Sequence, residues 1–309
     1  MPNQLKIVSL IPSATEMLAV LGLQNSIVGR SHECDYPPEI KNLPVCTQPK
    51  FNPEGTSREI HERVTEWLEN TLSIYRVEIE AIEQLQPTHI LTQAQCEVCA
   101  CSLAEVQQAT SKLINSQPQI ISLQPNLLAE VWADIQRVAE ALGVESESSI
   151  AQLTSRMEAV TSQLSTLTLE AEKIPTIACI EWIDPLMAAG NWIPELVTMA
   201  GGKSHFGKAG QHSPWLKWQS LVAANPDLII FMPCGFDLNR TRQEVKSMEK
   251  YTEWQDLQAV RNGKVYITDG NSYFNRPGPR LVDSLEILAE IIHPEVFNFG
   301  YENQGWERL

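Results

Sequence analysis

No stretch of this 309-residue chain approaches the ~18 consecutive apolar residues that a membrane-spanning helix requires. The longest early run, Met17 to Leu23, is a helix stripe. Basic residues are scarce, 23 Lys and Arg against 38 Asp and Glu, so the formal net charge is -15. Such a surface repels phosphate backbones and anionic lipid, which argues against nucleic-acid and membrane-surface binding, as the lack of long apolar runs argues against membrane insertion. The chain has no P-loop, no dinucleotide fingerprint and no Gly-x-Ser-x-Gly elbow. It also has no basic, apolar and small-residue series ahead of its first apolar strand, and its seven cysteines form no even disulfide framework. Both features point to a reduced, cytoplasmic setting, or to a periplasmic one if Met1 is not the native start.

What is present reads as an ordinary soluble α/β protein, 43% hydrophobic and 20% charged. Leu5 to Leu10 is a short apolar run rich in β-formers, stopped by Pro12. Ser13 and Glu16 suggest a capping box at the start of a helix that runs to Leu21 and stops at Gly22. A second strand, Ser26 to Gly29, follows, and this alternation predicts parallel strands with short joints. Tyr36 to Pro53, with five prolines, reads as loop. Ser57 to Leu85 keeps helical spacing without Gly or Pro.

Further strands are expected at His89 to Thr92 and Gln119 to Leu123, with helices at Ser102 to Ile114 and Asn126 to Leu142. Ser148 to Glu172 has one apolar face and neither Gly nor Pro, enough for a helix of roughly 37 Å. The pattern restarts at Ile174, with strands at Thr176 to Ile180, Asp227 to Met232 and Val265 to Thr268 and a last helix at Leu281 to Ile292. The expected organisation is an α/β lobe over 1–147, a long helix over 148–172 and a second α/β lobe over 173–309.

Two loops at expected strand ends carry unusual chemistry. His32-Glu33-Cys34-Asp35 packs four candidate ligand or proton-transfer side chains into one loop, a dense set that favours a site over the alternative of a solvated polar loop. Cys96-Glu97-Val98-Cys99 is a CxxC pair ahead of a helix start near Ser102, whose dipole lowers nearby thiol pKa values. The alternative there is simple packing of small residues. His32, Cys34, Cys96 and Cys99 together suit a Cys3His zinc set or another soft metal. In the second half, Glu181-Trp182, the loop Pro233-Cys234-Gly235-Phe236-Asp237 and Phe274-Asn275-Arg276 occupy the corresponding edges. Arg276 is a cation suited to an anionic or carbonyl group, and Arg30 is the other candidate.

Several motifs stand in register with one known family. They are Pro12-Ser13-Ala14-Thr15-Glu16, Val28-Gly29-Arg30-Ser31, Asp35-Tyr36-Pro37-Pro38, Gln86-Pro87-Thr88-His89-Ile90-Leu91, Asn225-Pro226-Asp227-Leu228-Ile229-Ile230 and Arg276-Pro277-Gly278-Pro279-Arg280-Leu281. Over nearly the whole chain the sequence resembles class III substrate-binding proteins of ABC importers, closest to the cobalamin-binding branch of the cobalamin and iron-chelate type. The resemblance implies two lobes with mostly parallel sheets, one rigid connecting helix and a small ligand clamped between the lobes. It implies an ABC permease as partner, met through Glu80, whereas the second-lobe docking position holds uncharged Gln219. Where the family's corrinoid cage is aromatic, this chain has Glu33, Gln48, Gln93 and Met187, which implies a more polar binding surface. The residues alone leave a second reading open: a cytosolic thiol- or metal-dependent enzyme, or a metal carrier, on the same scaffold.

Overall fold

The computed structural model describes residues 4–70, 73–94, 101, 103–167 and 174–309. They group into two α/β units, the first made of 1–55, 59–125 and 129–151, the second of 56–58, 126–128 and 152–309.

In the first unit β1 (Ile7–Ser9) lies between β2 (Ile27–Arg30) and β5 (His89–Gln93), and β6 (Gln119–Leu123) pairs with the far side of β5. All three pairings are parallel. Strand order therefore reverses between β1 and β5, the switch point at which open α/β sheets hold ligands beyond their carboxyl ends. The central strands β1 and β5 are buried almost throughout, as expected of a parallel sheet that helices cover on both faces. Val8, Leu10, Ile90 and Val106 form part of the resulting core.

Helix α1 (Pro12–Val20) starts differently from expectation. Its N-cap is Ile11, extended at φ -150°, ψ 140° and without a side-chain cap bond, and Pro12 occupies the first turn. Proline fixes a helical φ and lacks the N–H that a cap would satisfy, so the predicted Ser13–Glu16 capping box is not needed and Ser13 lies inside the turn.

The predicted continuous helix from Ser57 to Leu85 is also corrected. The segment is α2 (Ser57–Asn70), β4 (Tyr75–Val77) and α3 (Ile79–Leu85). Strand β4 pairs antiparallel with β3 (Thr47–Pro49), which falls in the region read as loop. Tyr75 and Val77 are buried and Arg76 between them is exposed, the period-two pattern of a half-covered strand. The helices α4 (Leu103–Thr110) and α5 (Leu128–Leu142) are shorter than expected. The long helix is α6 (Glu147–Ser165), and 168–173 lie outside the described residues.

In the second unit β7 (Thr176–Trp182), β10 (Leu228–Phe231) and β11 (Val265–Thr268) run parallel. Antiparallel β8 (Met187–Ala188) and β12 (Trp306–Arg308) flank them, and β9 (Lys203–Ser204) pairs parallel with the start of β7. The helices are α7 (Ile193–Met199), α8 (Trp218–Ala224), α9 (Leu238–Val245), α10 (Gln258–Arg261) and α11 (Leu281–Ile292). Ala178, Ile229, Phe231 and Ile267 centre the core. Glu290 is buried in α11 and accepts from the backbone N–H groups of Phe299 and Gly300 and from Trp306 Nε1 at 2.7 Å. Those donors replace the water that a buried carboxylate loses, and they tie the C-terminal segment to α11.

Candidate ligand-binding site

In the first unit the loop leaving β2 and the β3–β4 ribbon build one polar cluster. Arg30 folds back on its own loop, donating to the carbonyls of Ser31 at 2.9 Å and Lys41 at 3.0 Å. This sets the path of the backbone into His32. Thr47 Oγ1 meets both the backbone N–H of His32 at 3.1 Å and its Nδ1 at 2.8 Å, and donates to Ser31 Oγ at 3.1 Å. The imidazole tilts against the Tyr75 ring at 5.2 Å. The Tyr75 hydroxyl donates to Glu33 Oε1 at 3.3 Å, and the same oxygen lies 3.9 Å from His32 Nε2. Burial, helped by the Arg30 charge and opposed by bonding to Thr47, lowers the His32 pKa to about 4, so the ring is neutral at pH 7.

The other expected residues of this unit are placed differently. Cys34 is 1% exposed and accepts a hydrogen bond from Thr15 Oγ1 at 3.0 Å, with its own thiol directed to the Ser9 carbonyl. The thiol expected to line the ligand cleft is thus enclosed and bonded within the first unit. Gln93 ends β5 and is also buried. Gln48 is exposed on β3 and accepts from Arg76 at 3.1 Å. Cys96 and Cys99 lie outside the described residues. Among the described residues no group of three or more His, Cys, Asp or Glu side chains is arranged to hold a metal ion.

In the second unit the ends of β7, β10 and β11 converge. Glu181 accepts from Ser213 Oγ at 2.8 Å, and Ser213 Oγ in turn accepts from the Gly190 N–H at 3.0 Å. Trp182 tilts against Phe236 at 5.3 Å, and the Arg240 guanidinium lies 3.8 Å over the Phe236 ring. Stacking of a cation on an aromatic face is favourable and holds both groups in place. Arg276 is 7% exposed and donates to Asn271 Oδ1 at 3.1 Å. Asn275 Nδ2 donates to the carbonyls of Met232 and Gly270, both at 2.9 Å, which fixes the loop carrying Arg276. Burial raises the pKa of nearby Asp269, against the opposing pull of Ser272 and Arg276.

Phe274 is fully buried in the left-handed region, at φ 63°. Its carbonyl accepts from Trp192 Nε1 at 2.7 Å and its N–H donates to Ser284 Oγ at 3.0 Å. These two bonds anchor the loop at Phe274. Met187 is half-buried in β8 and bridges to Trp215, whose side chain is 60% exposed.

Sequence reasoning missed Thr47, Tyr75, Arg240 and Asn271. Tyr75 had a usable signal, since Ile74, Tyr75 and Val77 are β-formers around a single charge. Glu80, the expected permease contact, is exposed on α3 and lines a shallow depression of about 330 Å³ with Glu83, Lys112 and Ile114.

Residues 7–271 match the family described as periplasmic binding protein. The chain belongs to that family. Among relatives of this periplasmic binding protein is YvrC of Bacillus subtilis strain 168, named an uncharacterized ABC transporter substrate-binding lipoprotein. The two are 24% identical over 300 residues, 94% of this chain and 81% of YvrC. A vitamin B12-binding protein of Photorhabdus laumondii is 23% identical over 291 residues, covering 93% of this chain and 87% of that one. The apo structure of the periplasmic heme-binding protein RhuT from Roseiflexus sp. RS-1 superposes with a TM-score of 0.68 at 21% identity, covering 95% of this chain and 100% of that one. The shared fold is two α/β lobes, as the sequence resemblance implies.

These relatives overturn the cytoplasmic placement, because they are lipoprotein or periplasmic binding proteins and so extracytoplasmic. The thiol argument fails for a physical reason. Burial raises Cys46 to about 11 and both Cys101 and Cys179 to about 12, so these thiols stay protonated and enclosed without a reducing compartment.

Proposed function

We propose that this protein is the substrate-binding component of an ABC importer and that its cargo is a small anionic metal chelate. One observation carries the ligand class: in the second unit Arg276, only 7% exposed, donates to Asn271, whose backbone N–H donates at 3.1 Å to the carbonyl of Phe236, the ring that Trp182 and Arg240 flank. A near-buried guanidinium suits a carboxylate or other oxyanion, and the Trp182 and Phe236 rings suit a flat apolar face. The names of relatives that bind vitamin B12 and heme support the same class. Neutral His32 and the Glu33 carboxylate add polar contacts at the first-unit edge. Glu80 serves as the contact for the permease. Its exposure and its place beside the 88% exposed Ile114 support a docking surface.

Native mass spectrometry of the protein purified from its source tests the cargo. The expected result is a retained small molecule with a transition-metal isotope pattern. A retained metal-free cargo contradicts the proposal. For docking, Glu80→Ala is expected to lower uptake in reconstituted membranes while ligand affinity stays unchanged.

A further inference from the structure

Trp182 closes β7 just after a β-bulge. Ile180 pairs with Ala188 and Trp182 with Met187, so Glu181 is an extra residue on β7. Such bulges re-aim the side chains beside them and recur next to functional sites. The Trp182 indole is half-buried, stands outside the apolar core cluster of the second unit and tilts against Phe236 at 5.3 Å. Its Nε1 is closed to solvent, yet among the described residues it has no hydrogen-bond partner.

Three other tryptophans of this unit, all buried, do donate. Trp192 Nε1 reaches the Phe274 carbonyl at 2.7 Å, Trp218 Nε1 reaches Glu253 at 3.0 Å and Trp306 Nε1 reaches Glu290 at 2.7 Å. A buried indole N–H normally finds such a partner, because one without it gives up hydration and regains nothing. The carboxylates nearest to Trp182 along the chain are engaged elsewhere. Glu181 accepts from Ser213 Oγ at 2.8 Å, and Asp184 accepts from Arg58 at 2.7 Å and from Lys250 at 2.9 Å. The loss of stability at Trp182 is therefore left standing at the carboxyl end of a parallel strand, where α/β sheets hold ligands.

We propose that Trp182 is a ligand-sensing donor, whose indole N–H turns to hydrogen-bond a carbonyl or carboxylate oxygen of the bound ligand. The strand end stays fixed and only the side chain turns, since the ring already reaches solvent. An apolar molecule of the same shape leaves the donor unsatisfied and binds less tightly, so this one group selects for an oxygen at a defined place. The inference rests on the reading of the second-unit edge as a ligand-binding surface.

Benzothienylalanine in place of Trp182 tests it, because that residue keeps the bicyclic shape and puts sulfur where the N–H stands. The same replacement of Trp192 is the control, since the Trp192 donor has its partner. In the ligand-free full-length protein we expect the thermal midpoint to stay level or rise after replacement of Trp182 and to fall after replacement of Trp192. The binding probe is the small-molecule fraction released by heat from protein purified from its source, titrated calorimetrically. Replacement of Trp182 should weaken its binding by about tenfold, the share of one hydrogen bond. With tryptophan labelled at the indole nitrogen, the Trp182 N–H resonance of the otherwise unaltered protein should move downfield on binding. A midpoint that falls as far for Trp182 as for Trp192 overturns the proposal, since the N–H then already has a partner. Undiminished binding after replacement of Trp182 overturns it as well. The two readings fail separately. A native cargo without metal contradicts the proposed function, whereas a cargo bound equally with and without the Trp182 N–H contradicts only this donor.

Discussion

Arg156 on α6 grips Glu286 on α11 with two guanidinium nitrogens, Nε to Oε1 at 3.0 Å and a terminal nitrogen to Oε2 at 2.5 Å. The same terminal nitrogen reaches Asp283 at 2.7 Å. Tyr301, from the C-terminal segment, donates from its hydroxyl toward the same carboxylates, at 3.0 Å to Asp283 and 2.9 Å to Glu286. One arginine thus joins α6, α11 and the chain's last segment within the second unit.

Removing that arginine leaves two carboxylates crowded together, one of them, Glu286, only 8% exposed at its side chain. Breaking a buried pair costs about 3–5 kcal/mol. The Arg156 side chain is 44% exposed, and solvent screening reduces the cost here to about 1–3 kcal/mol. Arg156→Met is expected to lower the thermal midpoint by several degrees, measured by calorimetry at pH 7. Tyr301 adds a pH signature. Burial and the two carboxylates raise its pKa, so its contribution is fully present below the ordinary tyrosine value of 10 and is lost as pH rises above it. Tyr301→Phe should flatten the alkaline limb of the stability profile. An unchanged midpoint in Arg156→Met would show that the network is ornamental.

His32 supplies the opposite sign. Its folded pKa of about 4 lies below the reference 6.5, so the folded state binds fewer protons than the unfolded chain between those values. The stabilising contribution is fully present above pH 6.5 and is lost as pH falls through about 4. The gap corresponds to at most about 3 kcal/mol. His32→Gln should remove that part of the acid dependence. Proton NMR of the ring in the folded protein should show it still neutral at pH 5.5, and a midpoint near 6.5 would show that the ring is not desolvated.

The alternation of the first unit was legible because Leu5 to Leu10 and His89 to Thr92 are apolar runs with clear stops, and a parallel sheet covered on both faces demands such runs. The β3–β4 ribbon was not legible. Each of its strands has three residues, too few for a period to register, and Ile60, Val64, Trp67 and Leu68 of α2 extend a helical spacing that Tyr75 and Ile79 happen to continue. That one misreading hid Tyr75 and Thr47, which hold Glu33 and His32. Glu33 and His32 themselves were found because they sit in a loop at a strand end. Arg240 escaped because α9 is polar along most of its length, and its stacking on Phe236 is a tertiary contact with no local signature. Burial of Cys34 and Phe274 escaped for the same reason, since loop residues carry no pattern that separates anchors from contacts.

Cobalamin tests the departures from the cobalamin-binding branch. Glu33, Gln48, Gln93 and Met187 stand where the resemblance places aromatic cage residues, and a large macrocycle depends on such faces for grip. Gln93 is moreover buried, and Gln48 is engaged by Arg76. Absorbance titration with cyanocobalamin should therefore give a dissociation constant weaker than micromolar. Glu33→Tyr should tighten it by restoring one aromatic face. Submicromolar binding by the wild type would reverse the inference from composition of the surface.

The thiols provide a chemical map of burial that needs no ligand. Alkylation requires thiolate and access together. At pH 7.5 a thiol whose pKa is about 11 or above is ionised in fewer than about one molecule in a thousand. Cys46, Cys101 and Cys179 meet that condition, and each is enclosed, at 0%, 2% and 4% exposure. Cys34 is equally enclosed and bonded to Thr15. Cys234, in the loop after β10, is half-buried and therefore the accessible one of the five described cysteines. Iodoacetamide applied to the native protein, followed by peptide mass spectrometry, should label Cys234 well before the other four. In 6 M guanidinium all five should label at similar rates, which separates burial from any intrinsic difference. If Cys179 is alkylated as fast as Cys234 in the native state, then the centre of β7 opens readily to solvent. In that case the second-unit sheet edge that carries Glu181 and Trp182 is not the rigid platform that ligand capture requires.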